Sequence, residues 1–344
     1  MDSISQLVLG AGVGEALLGK KLGNKAVLWG AVGGTIPDLD VLARPFLTEL
    51  GVLTFHRGLS HSLLFSVVFS ILLGWLISKF NKPTSQVSRK EWQFMLFVAF
   101  FTHIILDCFT LYGTQVFAPF SNYRISWGTI SVADPLYTIP LLFSLLAILF
   151  IHKTKKSRRI TNYLGLVLSS LYLLLTVYNK SRVEDVFINE LAAQNIEVSR
   201  MITSPTLFNN ILWSCTAESD DAFYVGIYSF YDTVPVKFYK IEKRHDLLIN
   251  IDSDKTIKAL RWMSDNYFCI REENGELFFN DLRWARNYTQ TFISKPDILD
   301  SEFVFSLQIE QGSDGYELLE TVMEPVDKVE FFTALYERVW GIRE

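Results

Sequence analysis

The chain carries only three cysteines, Cys108, Cys215 and Cys269, and no Cys-x-x-Cys pair. Three thiols cannot close into a set of disulfides, and without paired spacing there is no thiolate zinc site and no dithiol redox motif. A single Cys215 to Cys269 bond stays open. Basic excess is also missing, with 32 Lys and Arg against 37 Asp and Glu, a net charge of -5. That balance argues against a nucleic-acid partner, because phosphate recognition needs a surplus of cations. No basic stretch separates Met1-Asp2-Ser3 from the first apolar run, so a cleaved signal peptide is not expected and targeting falls to membrane helices. No internal repeat is visible.

What the chain does have is apolar sequence, unevenly spread. Long apolar runs fill 61–78, 92–111, 134–151 and 160–178, each near the length that crosses a hydrocarbon core. Pro135 and Pro140 interrupt the start of the third and suit a first turn or a kink. Two shorter segments, 4–18 and 26–42, are rich in glycine (Gly10, Gly12 and Gly14; Gly30, Gly33 and Gly34), which permits close approach of a helical pair. The fold class is therefore a multi-helix integral membrane domain of four long and two shorter helices over 1–180. A small water-facing α+β domain follows over 181–344.

The basic residues sort by connection. Lys20, Lys21 and Lys25 fall in the first, Lys79, Lys82, Arg89 and Lys90 in the third, and Lys153, Lys155, Lys156, Arg158 and Arg159 in the fifth. The intervening connections hold only Arg44, Arg57 and Arg124. By the positive-inside rule, six spans with both termini outside fit this pattern. The chain is thus expected to be multi-pass in the inner (plasma) membrane, with its carboxy-terminal domain periplasmic or extracellular.

The same bias brings the unusual polar residues to one face. Asp38 and Asp40 stand in Gly34-Thr35-Ile36-Pro37-Asp38-Leu39-Asp40, where Pro37 and the i, i+2 spacing suit a broken helix end. His56 and His61 flank Arg57-Gly58-Leu59-Ser60, with Ser60 placed to cap the helix that follows. His103 and Asp107 are four apart, on one helical face. Asp134 precedes Pro135, after a loop that carries Arg124. Any one of these could be a hydrogen-bonded packing group. Together, ionisable groups inside a membrane domain need a partner, a proton or a metal.

Asp38, Asp40, His56, His61, His103 and Asp107 are the candidate metal ligands. Mixed nitrogen and oxygen donors suit a divalent ion, zinc first, with manganese or iron as alternatives. With one metal, His56, His61, His103 and Asp107 form the inner set, and Asp38 or Asp134 serves as general base. Surplus carboxylates leave a second metal open. Arg57 and Arg124 would neutralise an anionic substrate such as a phosphoester. His152, beside the basic run, and His245, in a charged turn read as solvated, receive no role.

These motifs, in this order and starting from Met1-Asp2-Ser3-Ile4-Ser5-Gln6 with Gly10-Ala11, resemble the family of membrane-bound, metal-dependent hydrolases that includes the inner-membrane protein YdjM. The resemblance covers about 1–180. The stretch Ser204 to Trp213 looks like the carboxy-terminal extension of a subset of members. It implies a multi-helix membrane domain and a divalent-metal hydrolase without naming a substrate.

Beyond 180, an amphipathic helix is expected over 182–195, strands over 210–216, 222–231, 236–240, 267–272 and 303–309, a turn at Glu272-Glu273-Asn274-Gly275-Glu276, and a last helix over 325–338. This region holds no catalytic set of its own and suits substrate selection or a protein partner. The leading expectation is a membrane metal hydrolase acting on a membrane lipid or another amphiphilic small molecule. The alternatives are an ion-coupled transporter and a non-catalytic scaffold.

Overall fold

A computed structural model describes residues 1–80, 87–284, 303, 305–312, 315–320 and 327–342. Lys82 and Pro325, and residue 304 of the strand expected over 303–309, lie outside the described residues. The chain divides into two compact units. One comprises Met1–Phe46, Phe55–Asn179 and Leu207–Asn209, and the other Leu47–Thr54, Lys180–Thr206 and Asn210–Glu344.

The helices in chain order are α1 (Ser3–Leu22), α2 (Asn24–Thr35), α3 (Glu49–Phe55), α4 (Leu63–Phe80), α5 (Arg89–Cys108), α6 (Pro135–Leu149) and α7 (Lys156–Ala193), with a 3-10 helix at Pro37–Phe46. Three of them, α4, α5 and α7, are long and apolar enough to cross a membrane. The count becomes four if α2 and Pro37–Phe46, bent by 47°, form one broken span. By length and composition, then, three or four of the six expected spans qualify. α6 has only 15 residues, about 22 Å of helix against a core of about 30 Å. α1 has the length, but Ser3, Ser5, Gln6, Glu15, Lys20 and Lys21 dilute its apolar content.

The glycines act as expected. α1 and α2 pack so closely that a Cβ on Gly14 would stand 2.2 Å from Ala26 O, and one on Gly30 2.2 Å from Gly10 O. No side chain fits there. α4 turns a small-residue row, Ser66, Ser70 and Gly74, inward and exposes Leu64, Val68, Ile71 and Leu72. That aliphatic outer face is what a lipid-facing helix presents. α5 starts with a Ser88/Glu91 capping box, and α6 with Asp134 as N-cap and Pro135 at the first position.

The second unit holds two four-stranded antiparallel meanders. The first is β1 (Arg200–Pro205), β2 (Leu212–Glu218), β3 (Ala222–Ser229) and β4 (Phe238–Glu242); the second is β5 (Phe268–Glu273), β6 (Glu276–Asp281), β7 (Ser306–Gly312) and β8 (Gly315–Glu320). Helices α8 (Lys255–Met263) and α9 (Lys328–Val339) accompany them. The expected turn joins β5 to β6 through Asn274 and Gly275, both at positive φ, the conformation a two-residue hairpin needs. The helix expected over 182–195 has no start of its own, since α7 continues to Ala193, and its Val183, Phe187 and Leu191 are buried against Trp213 and Cys215. Cys215 and Cys269 are free and buried, so the bond left open is not formed. His245 is not a solvated turn residue. Its ring stacks on Phe268 at 4.0 Å, and its Nε2 donates to Phe268 O at 2.9 Å.

Candidate metal centre

Each site residue sits where an element starts or ends. α2 stops at Ile36 because Pro37 carries no N–H to continue it. The 3-10 segment then directs Asp38 and Asp40 toward the histidines, while Leu39, Leu42 and Phe46 stay exposed. Arg57 takes a left-handed φ of 56°, which reverses the chain between α3 and the turn Leu59–His61. Ser62, not Ser60, caps α4 by accepting from Phe65 N at 3.0 Å. Ser60 instead donates to Asp40 Oδ2 at 2.8 Å. His103 and Asp107 lie one turn apart on α5, both buried.

Four of these residues meet. Asp38, His61, His103 and Asp107 each offer a ligand atom, and the four atoms lie within 4.8 Å of one another. His61 Nε2 is 3.2 Å from His103 Nε2, 3.2 Å from Asp38 Oδ1 and 3.3 Å from Asp107 Oδ2. His103 Nε2 is 3.4 Å from Asp38 Oδ1 and 3.5 Å from Asp107 Oδ2. Four ligands at about 2.0 to 2.1 Å around a tetrahedral zinc would be separated by roughly 3.3 Å. These five separations fit that figure.

The protonation pattern points the same way. His103 Nδ1 is 2.7 Å from Gly34 O, a carbonyl that can only accept, so the ring proton is assigned to Nδ1 and a neutral ring presents a lone pair at Nε2. His61 Nδ1 faces Ser60 Oγ at 3.0 Å and Asp40 Oδ2 at 3.4 Å, and the same assignment follows. With both rings neutral, two lone pairs and two carboxylate oxygens converge on one point. Asp107 Oδ2 is buried with no hydrogen-bond partner among the described residues, an expensive state for a carboxylate oxygen. A proton on one imidazole answers one of these contacts. A single divalent cation answers all four.

A second layer of residues holds the first in place. Asp40 Oδ1 pairs with His56 Nδ1 at 2.9 Å, and its Oδ2 also accepts from Arg57 N at 3.2 Å. Asp40 and His56 thus stand outside the four-residue group and orient His61 from behind. The Met1 amino group pairs with Asp107 Oδ1. Gln6 Nε2 donates to that same oxygen at 3.0 Å and to His103 O at 3.2 Å, leaving Gln6 Oε1 buried and unpartnered among the described residues. Arg57 Nη2 lies 3.3 Å from Asp107 Oδ1, and its Nη1 donates to Thr110 Oγ1 at 2.8 Å. Gln6 stood out in sequence only as part of the amino-terminal motif, and Thr110, just past the end of α5, carried no signal, because a hydroxyl beside an apolar helix reads as packing.

The remaining two candidates are placed differently. Asp134 caps α6 through Leu136 N at 3.0 Å and accepts from Tyr172 Oη at 2.7 Å, outside the four-residue group. Arg124 stacks over the Tyr112 ring at 4.9 Å and donates to Tyr112 O, while Arg57 lies 5.0 Å from the same ring.

Fold and site together define a membrane protein with a buried cluster of two histidines and two aspartates able to chelate a metal ion. Residues 1–183 match the profile described as YdjM inner membrane protein, and the chain belongs to that family. It is also similar to "Uncharacterized protein YfhP" of Bacillus subtilis (strain 168), 25% identical over 320 residues that cover 86% of this chain and 90% of that protein. No solved structure matches the chain. Inner-membrane, multi-pass placement is consistent with the family and with the apolar helices.

Proposed function

We propose that the chain is a membrane-embedded hydrolase dependent on one divalent metal, zinc in the first instance, acting on a lipid phosphoester or a related amphiphile. The observation that carries this reading is the meeting of His61 Nε2, His103 Nε2, Asp38 Oδ1 and Asp107 Oδ2 within 4.8 Å of one another, each imidazole nitrogen 3.2 to 3.5 Å from the other three atoms. Asp38, His61, His103 and Asp107 would hold the ion, which when bound supplies Lewis acidity toward a phosphoryl or carbonyl oxygen and acidifies water. Asp40 fixes the His61 ring and Gly34 O the His103 ring, so both Nε2 atoms stay aimed inward. Arg57, with Nε unpartnered among the described residues, supplies positive charge for an anionic substrate group. Asp38 is the most exposed of the four, its side chain 23% accessible, and is the side from which a substrate head and its water arrive.

The amphiphile reading rests on the exposed apolar side chains of the segment that bears Asp38: Leu39, Val41, Leu42 and Phe46. A tail beside them remains in hydrocarbon while the head reaches the carboxylates. The proposed sidedness follows from charge. Site residues cluster at the start of α1, the end of α2 and the end of α5, whereas the Lys and Arg clusters mark the opposite helix ends. By the positive-inside rule the site then faces the exterior, as does the chain beyond α7. Strong activity of a cytoplasmic reporter fused to the carboxy terminus would overturn this sidedness.

The test of function is purification in mild detergent, metal quantification, and a panel of organophosphate and lipid substrates, comparing the parent with His61→Ala and Asp107→Asn. The expected result is about one equivalent of metal and hydrolysis in the parent, with both lost in the variants. A parent without metal or activity after reconstitution with zinc, manganese and iron would sink the proposal. The transport alternative draws on the break between Thr35 and Pro37 beside two carboxylates. Metal flux into proteoliposomes without hydrolysis would favour it.

A further inference from the structure

At the helix ends far from the metal centre, the turn between α1 and α2 and the connection between α6 and α7 line an open cavity of about 460 Å³. Its wall includes Lys25, His152, Lys153 and Arg158 and no carboxylate residue. Gln6 and Leu22 bracket the α1 span between the two places, roughly 24 Å of helix. We propose that this cavity binds the phosphate of an anionic phospholipid, with the acyl chains lying on the apolar rim formed by Leu149 and Phe150.

Three observations assign it. Arg158 is buried but already committed. It grips Glu15 through two bonds of 2.7 Å and donates to Asn24 Oδ1, Ile148 O and Ile151 O, so it builds the floor of the cavity and is not its binding cation. The binding cations are Lys25, exposed at the start of α2, and Lys153. The stem of Lys153 packs 3.5 Å from where a Gly23 Cβ would stand, and among the described residues its ammonium donates one bond, to Lys21 O at 2.8 Å, leaving two N–H groups for a ligand. The rim is apolar where a soluble protein's would be polar. Phe150 is 90% exposed and Leu149 40%. A bare anion has no use for that rim, whereas a phospholipid needs both parts. Lys155, just before α7, and Lys156 and Arg159 on its exposed start extend the positive field over neighbouring headgroups.

The experiment uses the full chain in nanodiscs of mixed phosphatidylglycerol and phosphatidylcholine, followed by delipidation and native mass spectrometry. The parent, Lys25→Gln, Lys153→Gln, the double variant and the distant control Lys258→Gln are compared. Melting curves and bound metal confirm that each variant is folded. The parent and control retain phosphatidylglycerol over phosphatidylcholine, and retention falls roughly fivefold for each lysine removed. Equal retention in the double variant and the parent overturns the site. So does parent retention indifferent to headgroup. Inorganic phosphate is added as a competitor. Displacement of the lipid by millimolar phosphate alone would mark a free-anion pocket and also overturn the lipid assignment, whereas retained lipid supports it.

Discussion

His61 and His103 face each other through their Nε2 atoms at 3.2 Å, and each ring is held from behind at Nδ1, by Ser60 and Asp40 in one case and by Gly34 O in the other. Neutral rings so anchored direct two lone pairs at one point, where Asp38 and Asp107 add negative charge. Such an arrangement is stable only with a cation or a proton between the rings. The first three predictions separate residues that hold the cation from residues that merely position or pack.

His103→Ala removes a donor atom and is expected to abolish tight metal binding. Asp40→Asn and His56→Gln leave all four donors in place and weaken affinity by roughly 10- to 100-fold, the usual cost of losing a partner behind a ligand. Chelator competition on the purified protein checks both. Affinity for Asp40→Asn as low as for His103→Ala would move Asp40 into the ligand set.

Asp134→Asn should act only on stability. Asn caps a helix about as well as Asp and keeps the bond from Leu136 N, so the cost is the weakened bond from Tyr172 Oη, about 1 kcal/mol, seen as a lower melting temperature, with metal content unchanged. Loss of metal in a folded Asp134→Asn protein would make it part of the site.

Gly30→Val should prevent the close packing of α1 on α2. A Cβ there meets Gly10 O at 2.2 Å, backbone against backbone, with no side chain able to yield. The helices must separate, and with them the alignment of Gln6 with Asp107 and of Gly34 O with His103. Size-exclusion chromatography and metal content report the loss. Gly275→Asn, in the open turn between β5 and β6, meets no neighbouring atom and bears only the strain of its positive φ, so it is the milder control.

Glu15→Ala should be more damaging than removal of any surface charge. Arg158 and Glu15 are both almost fully buried, so truncating one strands the other, a cost of about 3 to 5 kcal/mol. Removal of Asp221 from the exposed pair Lys240–Asp221, on β4 and the β2–β3 turn, should leave the melting temperature nearly unchanged. Thermal unfolding in detergent distinguishes them.

The second unit should lose stability in mild acid through His245. Burial holds this imidazole below its ordinary value of 6.5, against the raising effect of its bond to Phe268 O. Above that value both folded and unfolded forms are neutral, and pH has no leverage. As pH falls below it, the unfolded chain takes up the proton first, so stability declines until the folded ring also titrates. Protection factors over 245–270, which correct for the intrinsically slower exchange at lower pH, should be smaller at pH 5.5 than at pH 7.5 in the parent, with a smaller difference in His245→Gln.

The hairpin at Asn274-Gly275, the long apolar helices and the glycine contact of α1 with α2 were legible because each is local. A turn dipeptide, a run of Leu and Phe, or a row of residues lacking Cβ carries its consequence wherever the chain goes. Strands β1, β6 and β8 were missed because their Arg, Ser, Asn and Glu content hides a pairing that only neighbouring strands reveal. By length α6 falls short of a span, because Pro135 and the end at Leu149 trim its apolar run.

At the site, the sequence by itself determined which residues were chemically unusual: His56, His61, His103 and four aspartates set in or beside apolar helices, on the side opposite the basic connections. It did so because charge in hydrocarbon is costly and has few innocent explanations. Only the tertiary structure decided their division of labour. Asp38 and Asp107 reach the two imidazoles, Asp40 and His56 stand behind them, Asp134 caps a helix, and Gln6 enters from a helix that sequence treated as packing. Those assignments depend on ångström separations between α1, α2, α4 and α5. Spacing along one chain does not encode them.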